Sequence, residues 1–407
     1  MREIILISFL GPDQPNQFTR LMQVLSAHSL QILDVGQAVI HNQLTLGIVV
    51  ASEDQTATAL AMKEILILAH EIGLTVRFKP ILATDYDQWV SEGGRTRYIV
   101  TALAPELKAS HLQAVTQIVS SQGFNIETVT RLSGRPTLTG ESTEPKRACV
   151  EFGLKGQMLD AAAMRAACLK LSSELNVDVA VQEDNAYRRN RRLVCFDMDS
   201  TLIEQEVIDE LAKEAGVGEQ VAEITERAMQ GELDFQSSFR ARVALLKGMD
   251  ASVLASIAER LTITEGAERL ISTLKALGYR TAILSGGFQY FAEYLQAKLG
   301  IDEVHANILD IQDGVVTGEV KGHIVDGARK ALLLTKIAEE MGISLEQAIA
   351  VGDGANDLPM LSIAGLGVAF RAKPLVRQNA NQAISSVGLD GVLYLLGVHD
   401  KDLNRDE

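Results

Sequence analysis

The sequence predicts a doubly wound α/β domain with a parallel sheet and a helical cap, preceded by two smaller α+β domains of βαββαβ order. Three observations predict it. An order of apolar strands and amphipathic helices recurs at a period of about 95 residues within the first ~185 residues. Beyond Leu193 the pattern changes to strands alternating with helices, as parallel sheets require. The strands of that half run into acidic or glycine-rich turns, "FDMDST", "LSGGF" and "VGDGAND", and ligands of doubly wound sheets bind at such strand ends.

The first unit, residues 1–85, opens with the apolar strand "REIILISFLG" (2–11), followed by a helix with Phe18, Leu21, Met22 and Leu25 on one face. Strands "QILDVGQAVI" (31–40) and "QLTLGIVVAS" (43–52) come next, then a helix over about 57–72 and the strand "LTVRFKP" (74–80). "DQWVSEGGRT" (87–96) has the polarity and glycines of a linker. The second unit, 96–184, repeats the order. It has strand "RYIVTALA", a helix carrying Leu112, Val115 and Val119, and strands "NIETVTRL" and "RACVEFGLK". A helix around 159–175 and the strand "VDVAVQE" complete it. "DNAYRRNRR" (184–192) is a polar, basic boundary. The third domain, 190–400, has strands "LVCFDMD", "RTAILSGG", "AIAVGDG" and "LGVAF". The long polar, helical stretch after the first of them has no clear strand, and reads as an inserted cap over about 206–264.

A chain of 407 residues is too long for one ordinary core. It is 47% hydrophobic and 22% charged, as soluble globular proteins are. No apolar run reaches the roughly 18–20 residues that span a bilayer. The N-terminus lacks a basic flank and a cleavage site, so a cytoplasmic protein is expected. Cys149, Cys168 and Cys195 are odd in number and lack metal-ligand spacing, which points to buried free thiols. A net charge of −15 argues against nucleic acid as a partner.

Val194, Cys195 and Phe196 close a buried strand, yet Asp197 and Asp199 follow directly. Strand alternation would point both acids the same way, where they repel unless a cation lies between them. The other strand ends supply the remaining parts of a site. They are Ser285, Gly286 and Gly287 in "LSGGF", and Asp353, Asn356 and Asp357 in "VGDGANDLPM". Lys330 begins a helix pattern between these two motifs. Carboxylates to hold Mg²⁺, a hydroxyl on a glycine turn and a lysine make up a phosphoryl-transfer site.

These motifs, in this order, resemble those of the haloacid-dehalogenase phosphatases. The stretches "DSTLIEQEVIDELAKEAG", "FRARVALLKG", "TEGAERL" and "LSGGF" bring residues 191–395 closer to the phosphoserine phosphatases of that family. The resemblance implies a haloacid-dehalogenase-like, Rossmannoid catalytic domain and Mg²⁺-dependent hydrolysis of O-phospho-L-serine in serine biosynthesis. In that scheme Asp197 is the nucleophile that becomes an aspartyl-phosphate, and Asp199 is the general acid and base. Asp197, the Asp199 backbone carbonyl and Asp353 hold the metal. Ser285, Gly286 and Lys330 bind the phosphoryl group, and Asn356 and Asp357 orient phosphate, water and metal ligands. Glu206 takes the substrate ammonium and Arg242 its carboxylate, with Arg240 as the competitor for that role, while Phe235 covers the substrate. A phosphotransferase to an alcohol such as homoserine is one alternative. An amino-acid-sensing protein with a vestigial phosphatase domain is another, against which the intact acids speak.

The N-terminal repeat resembles paired ACT domains, ferredoxin-like modules that sense amino acids. Gly11 and Asp13 of "GPDQPNQF" then become candidates for binding an effector, with serine the natural one. The matching "LAPELKAS" of the second unit lacks both residues. Such modules usually pair, so side-by-side packing within the chain or a homodimer is expected.

Overall fold

The computed structural model describes residues 2–91, 96–137, 146–229 and 232–403. The chain forms two compact units, one within the first 95 residues and one from Thr96 onward. In the first, strands β1 (Glu3–Pro12), β2 (Gln31–Ile40), β3 (Gln43–Ser52) and β4 (Thr75–Ile81) form a sheet of order β2-β3-β1-β4. All its neighbouring pairs are antiparallel. Alternate residues Ile5, Ile7 and Phe9 of β1, and Leu44, Leu46 and Ile48 of β3, pack on Leu21 and Leu25 of helix Gln17–Ala27 and on Ala61 and Ile65 of helix Gln55–Glu71. Asp54 caps the second helix, accepting from the N–H groups of Thr56 and Ala57 at 2.8 and 3.1 Å. Edge strand β2 is different, because Ile32, Val35, Val39 and Ile40 are all exposed.

Two expectations are corrected in this unit. The linker read over 87–96 begins as the end of helix Ala83–Ser91, and residues 92–95 lie outside the described residues. Gly11 belongs to β1, paired with Leu44, rather than to a turn. Asp13 is exposed, and its N–H donates to the Asn42 carbonyl at 2.9 Å.

In the second unit, β5 (Arg97–Ala104), β6 (Asn125–Arg131), β7 (Ala148–Lys155) and β8 (Asp178–Glu183) repeat the first sheet in the order β6-β7-β5-β8. This repeat has an apolar cluster of its own, with Val100, Val115, Phe152 and Met164 between its sheet and its helices, but its packing does not end there. Leu103, Leu132, Cys149 and Ala180 join the main apolar cluster of the domain that follows. The Asp178 carboxylate accepts from the N–H groups of Ser385 and Ser386, both at 2.7 Å. The basic segment at 184–192 therefore marks a change of sequence pattern, not a break in packing.

The third sheet contains β9 (Leu193–Phe196), β10 (Arg280–Phe288), β11 (Glu303–Gln312), β12 (Val315–Lys321), β13 (Ala348–Gly352), β14 (Leu366–Phe370) and β15 (Gln382–Ile384). Its order is β12-β11-β10-β9-β13-β14-β15, parallel except for the β11–β12 pair. Val194 and Phe196 of β9 face one apolar cluster, and Leu193 and Cys195 face the other, so both sides of the central strand are covered. β10 lies on one side of β9 and β13 on the other, which makes the end of β9 the switch point of the sheet.

Neither β15 nor the β11–β12 hairpin is among the strands expected from the sequence. The hairpin turns at Asp313 and Gly314, with φ of 50° and 78°, the left-handed pair that an Asp-Gly turn accommodates. β9 also ends earlier than expected, at Phe196, so the two acids follow the strand instead of alternating along it. Helices Val207–Glu214, Gly218–Met229, Phe235–Ala244 and Val253–Arg260 occupy the stretch read as a cap.

Candidate active site

A cleft of about 890 Å³ opens at the end of β9. Asp197 and Asp199 line it together with Gly286, Gly287, Asp353 and Asn356 from neighbouring strand ends. Glu206, Asp209, Phe235, Ser238 and Arg242 line it from the cap segment. Of the two arginines considered, Arg242 reaches the cleft lining, and Arg240 is exposed elsewhere.

The loop after β9 is held firmly. The Asp197 N–H donates to the Val351 carbonyl of β13 at 2.8 Å, and Asp197 Oδ1 accepts from the Met198 N–H at 2.8 Å. Ser200 adopts φ 55°, a left-handed conformation costly for a non-glycine residue. Its hydroxyl donates to Glu206 Oε1 at 2.9 Å, and the Val207 N–H donates to Asp199 Oδ1 at 3.3 Å. These contacts draw Asp199 and Glu206 together across a full loop of chain. A Cβ at Gly287 would lie 2.6 Å from Asp199 Oδ2, so the second glycine of "SGGF" gives the carboxylate its room.

Lys330, Asp357 and Ser285 lie behind the lining, all fully buried. Lys330 Nζ is 2.8 Å from Asp197 Oδ1 and 2.6 Å from Asp357 Oδ1. Asp357 Oδ2 accepts from the Gly354 N–H at 2.9 Å, which curls the "GDGAND" turn onto the lysine. The Ser285 hydroxyl accepts from the Gly287 N–H at 2.9 Å. That contact shapes the glycine turn, and Gly286 and Gly287 form the wall.

Burial opposes the charge on Lys330, but the Asp197 and Asp357 carboxylates prevail and hold its ammonium above the usual lysine range. Burial raises the Asp197 carboxyl well above the carboxylate range, Asp357 adds to this, and Lys330 opposes it. Asp199 is also raised, by burial and then by Glu206 and Asp197. Burial, with Asp357 and Glu206, pushes Asp353 up to about 7. Burial lowers the Arg242 guanidinium, against the pull of Glu206, Asp209 and Asp199.

Asp197, Asp353 and Asp357 offer carboxylate oxygens that all lie within 4.8 Å of one another. Three carboxylates around one ammonium leave two negative charges in excess, and hard oxygen donors suit a divalent cation. The side chain of Asp199 is outside this group. The residues fit a metal.

Lys373 escaped the sequence reading. It follows β14, lines the cleft and moderates Asp353 electrostatically. The rule that ligands gather at strand ends could have found it, because "LGVAF" was recognised as a strand. Ser238 was also missed; its hydroxyl is buried without a partner at the cleft wall.

Residues 191–365 match the haloacid dehalogenase-like hydrolase family, and residues 3–79 match the ACT domain. The chain is 40% identical over 400 residues to a phosphoserine phosphatase of Streptomyces coelicolor, covering 97% of this chain and 92% of the relative. Identity is also 40% to a phosphoserine phosphatase of Mycobacterium tuberculosis, over 97% and 93% of the two chains. The solved structure of a probable phosphoserine phosphatase from Vibrio cholerae, in unliganded form, has a TM-score of 0.59 and 35% identity over 75% of this chain and 87% of that one. The chain belongs to the phosphoserine phosphatases among the haloacid dehalogenase-like hydrolases, with an ACT domain at its N-terminal end.

Proposed function

We propose that the chain hydrolyses O-phospho-L-serine to L-serine and phosphate in a Mg²⁺-dependent reaction that passes through phosphorylated Asp197. The observation that carries this reading is the composition of one cleft. The Asp197–Lys330 pair is at its floor, and an acid and an arginine, Glu206 and Arg242, are on its cap side. Phosphoserine presents a phosphate at one end and an ammonium with a carboxylate at the other.

Asp197 attacks phosphorus while Lys330 fixes its carboxylate. As the bond to the serine oxygen breaks, Asp199 donates a proton to that oxygen, its carboxyl kept protonated by burial beside Glu206 and Asp197. The resulting Asp199 carboxylate then takes a proton from water. The water oxygen attacks phosphorus, phosphate leaves, and Asp197 is restored. Asp197, Asp353 and the Asp199 carbonyl would hold Mg²⁺, with Asp357 in support, and the ion when bound neutralises phosphoryl oxygens. Glu206 pairs with the substrate ammonium, and Arg242 takes its carboxylate through a planar fork oriented by the Ser238 carbonyl, 3.4 Å from Nε. Phe235, stacked on Phe239 at 6.1 Å, covers the substrate. Gly286 and Asn356 line the phosphate end, with Ser285 supporting the turn.

The ACT domain supports amino-acid regulation, with serine as ligand near Gly11 and Asp13 and the exposed β2 strand as the site of pairing into dimers. A cytoplasmic location belongs to the same reading; among the described residues no helix is long and apolar enough to cross a membrane.

The test is phosphate release from O-phospho-L-serine by chelated protein, with and without added Mg²⁺. Release should require the metal and vanish in Asp197→Asn, and added alcohols such as homoserine should yield no new phosphoester. Normal turnover by Asp197→Asn would overturn the mechanism.

A further inference from the structure

Within the unit that begins at Thr96 there is a second cavity, of about 320 Å³, between the second βαββαβ domain and the catalytic domain. Helix Ala161–Leu175 and β8 form one side, and β14, β15 and helix Pro374–Asn379 form the other. Met164, Cys168 and Leu366, all buried, give it apolar walls. Two arginines line it as well.

Arg191, in the segment joining the domains, is only 6% exposed. Its terminal nitrogens donate to Gln182 Oε1 at 3.1 Å and to the Gly365 carbonyl at 3.3 Å, both neutral acceptors, and its Nε is buried without a partner. Arg377 donates to the Ser172 hydroxyl at 3.1 Å, and its Nε is also buried without a partner. Buried cations are as a rule paired with anions. Among the described residues neither arginine has a carboxylate within 4.0 Å. Glu183 and Glu346 line the cavity but are exposed residues at its solvent side. Burial, and then the neighbouring Arg188 cation, lower Arg191 to about 10 against the pull of Tyr279 and Glu346.

We propose that this cavity binds a small organic carboxylate, its anionic end received by Arg191 and Arg377 and its short apolar body lying against Met164, Cys168 and Leu366. A bare inorganic anion would leave those apolar walls uncovered, and a neutral ligand would leave both guanidinium charges without a counter-charge. The site is distinct from the catalytic cleft, yet helix Pro374–Asn379 forms a wall of both. Arg377 lines the cavity, and Leu375 and Val376 line the cleft.

Titration calorimetry on the full-length protein with 4-methylpentanoate tests this. The expected result is one site per chain, no binding of the neutral 4-methylpentanamide, and about 10- to 150-fold weaker binding in Arg377→Gln, the range for losing a charged hydrogen bond. Arg242→Ala should leave the affinity unchanged, which separates the cavity from the cleft. Arg191→Gln should weaken binding similarly. If that variant does not fold, Arg377→Gln, altered on a short surface helix and checked by its melting temperature, carries the test. Four results would overturn the proposal: no heat up to ~10 mM carboxylate, equal binding of acid and amide, sensitivity to Arg242→Ala instead of Arg377→Gln, or binding of sulfate in place of the carboxylate.

Discussion

Replacing Lys330 by methionine removes the ammonium lodged between Asp197 and Asp357 while roughly keeping the side chain's volume. The two contacts, 2.8 and 2.6 Å, are each worth about 6 kcal/mol of Coulomb attraction at an effective dielectric of ~20. Desolvation of the three ions offsets most of this, and removing one partner from such a buried pair costs about 3–5 kcal/mol net. At about 2–4 °C per kcal/mol, the melting temperature of the catalytic unit should fall by roughly 6–20 °C. The pH dependence provides a sharper test. Burial and Asp357 raise the folded-state pKa of Asp197, and loss of the lysine removes the charge that opposes them. A carboxyl whose folded pKa is raised contributes its stability at low pH and loses it as pH rises through that pKa. The defect should therefore be large at about pH 8 and smaller at about pH 5.5. Circular-dichroism melts of metal-free wild-type and Lys330→Met protein at both pH values would measure it. Equal melting temperatures at the higher pH, or a larger defect at the lower one, would refute the reasoning.

Asp199→Asn should keep phosphate binding but slow turnover by about 10²–10⁴-fold, read from single-turnover phosphate release. Arg242→Ala should weaken phosphoserine use about 10- to 150-fold relative to an aryl phosphate lacking the carboxylate; equal losses would remove it from substrate recognition. With Asp353 near 7 in the metal-free protein, its proton competes with Mg²⁺. The Mg²⁺ concentration for half-maximal activity should rise as pH falls below about 7, by up to about tenfold per unit. Deleting residues 1–95 should preserve phosphatase activity and abolish any response to serine, which Asp13→Ala should weaken. Deletion to residue 185 should instead yield insoluble protein, because it strips Leu103, Cys149 and Ala180 from a shared core. Sedimentation velocity should show dimers that dissociate when Val35 and Ile40 on β2 are changed to lysine.

What was legible in the sequence is what local rules govern. The apolar tripeptide before Asp197, the glycine turn of "LSGGF" and the "GDGAND" run each announce a strand end from a few adjacent residues. Together they located most of the cleft. Glu206 and Arg242 needed the family resemblance, because alone they read as solvated helix charges. The β11–β12 hairpin carries the Asp313-Gly314 turn signal, but it interrupts a run of strands alternating with helices, and that dominant pattern conceals it. Ser285 is expected to bind the phosphoryl group, and the contact of its hydroxyl with the Gly287 N–H depends on the glycine turn after it, which the motif alone does not fix. Asp178 holding Ser385 and Ser386 could not be read at all. Contacts between residues some two hundred positions apart leave no local pattern.

That long-range contact bears on how the chain is synthesised. Asp178 and Ser386 are separated by 208 positions. At translation rates of about 5–20 residues per second, the second βαββαβ domain leaves the ribosome roughly 10–40 s before the segment that will cover it. Until those later segments emerge, its Leu103 and Ala180 side chains, part of the main core in the finished fold, lack the partners that the third domain supplies. The first domain has no such wait, because its apolar cluster is drawn wholly from its own residues, Ile5 to Phe78. Nascent chains are thus most exposed to aggregation, and most open to chaperone capture, while residues 184–386 are being made.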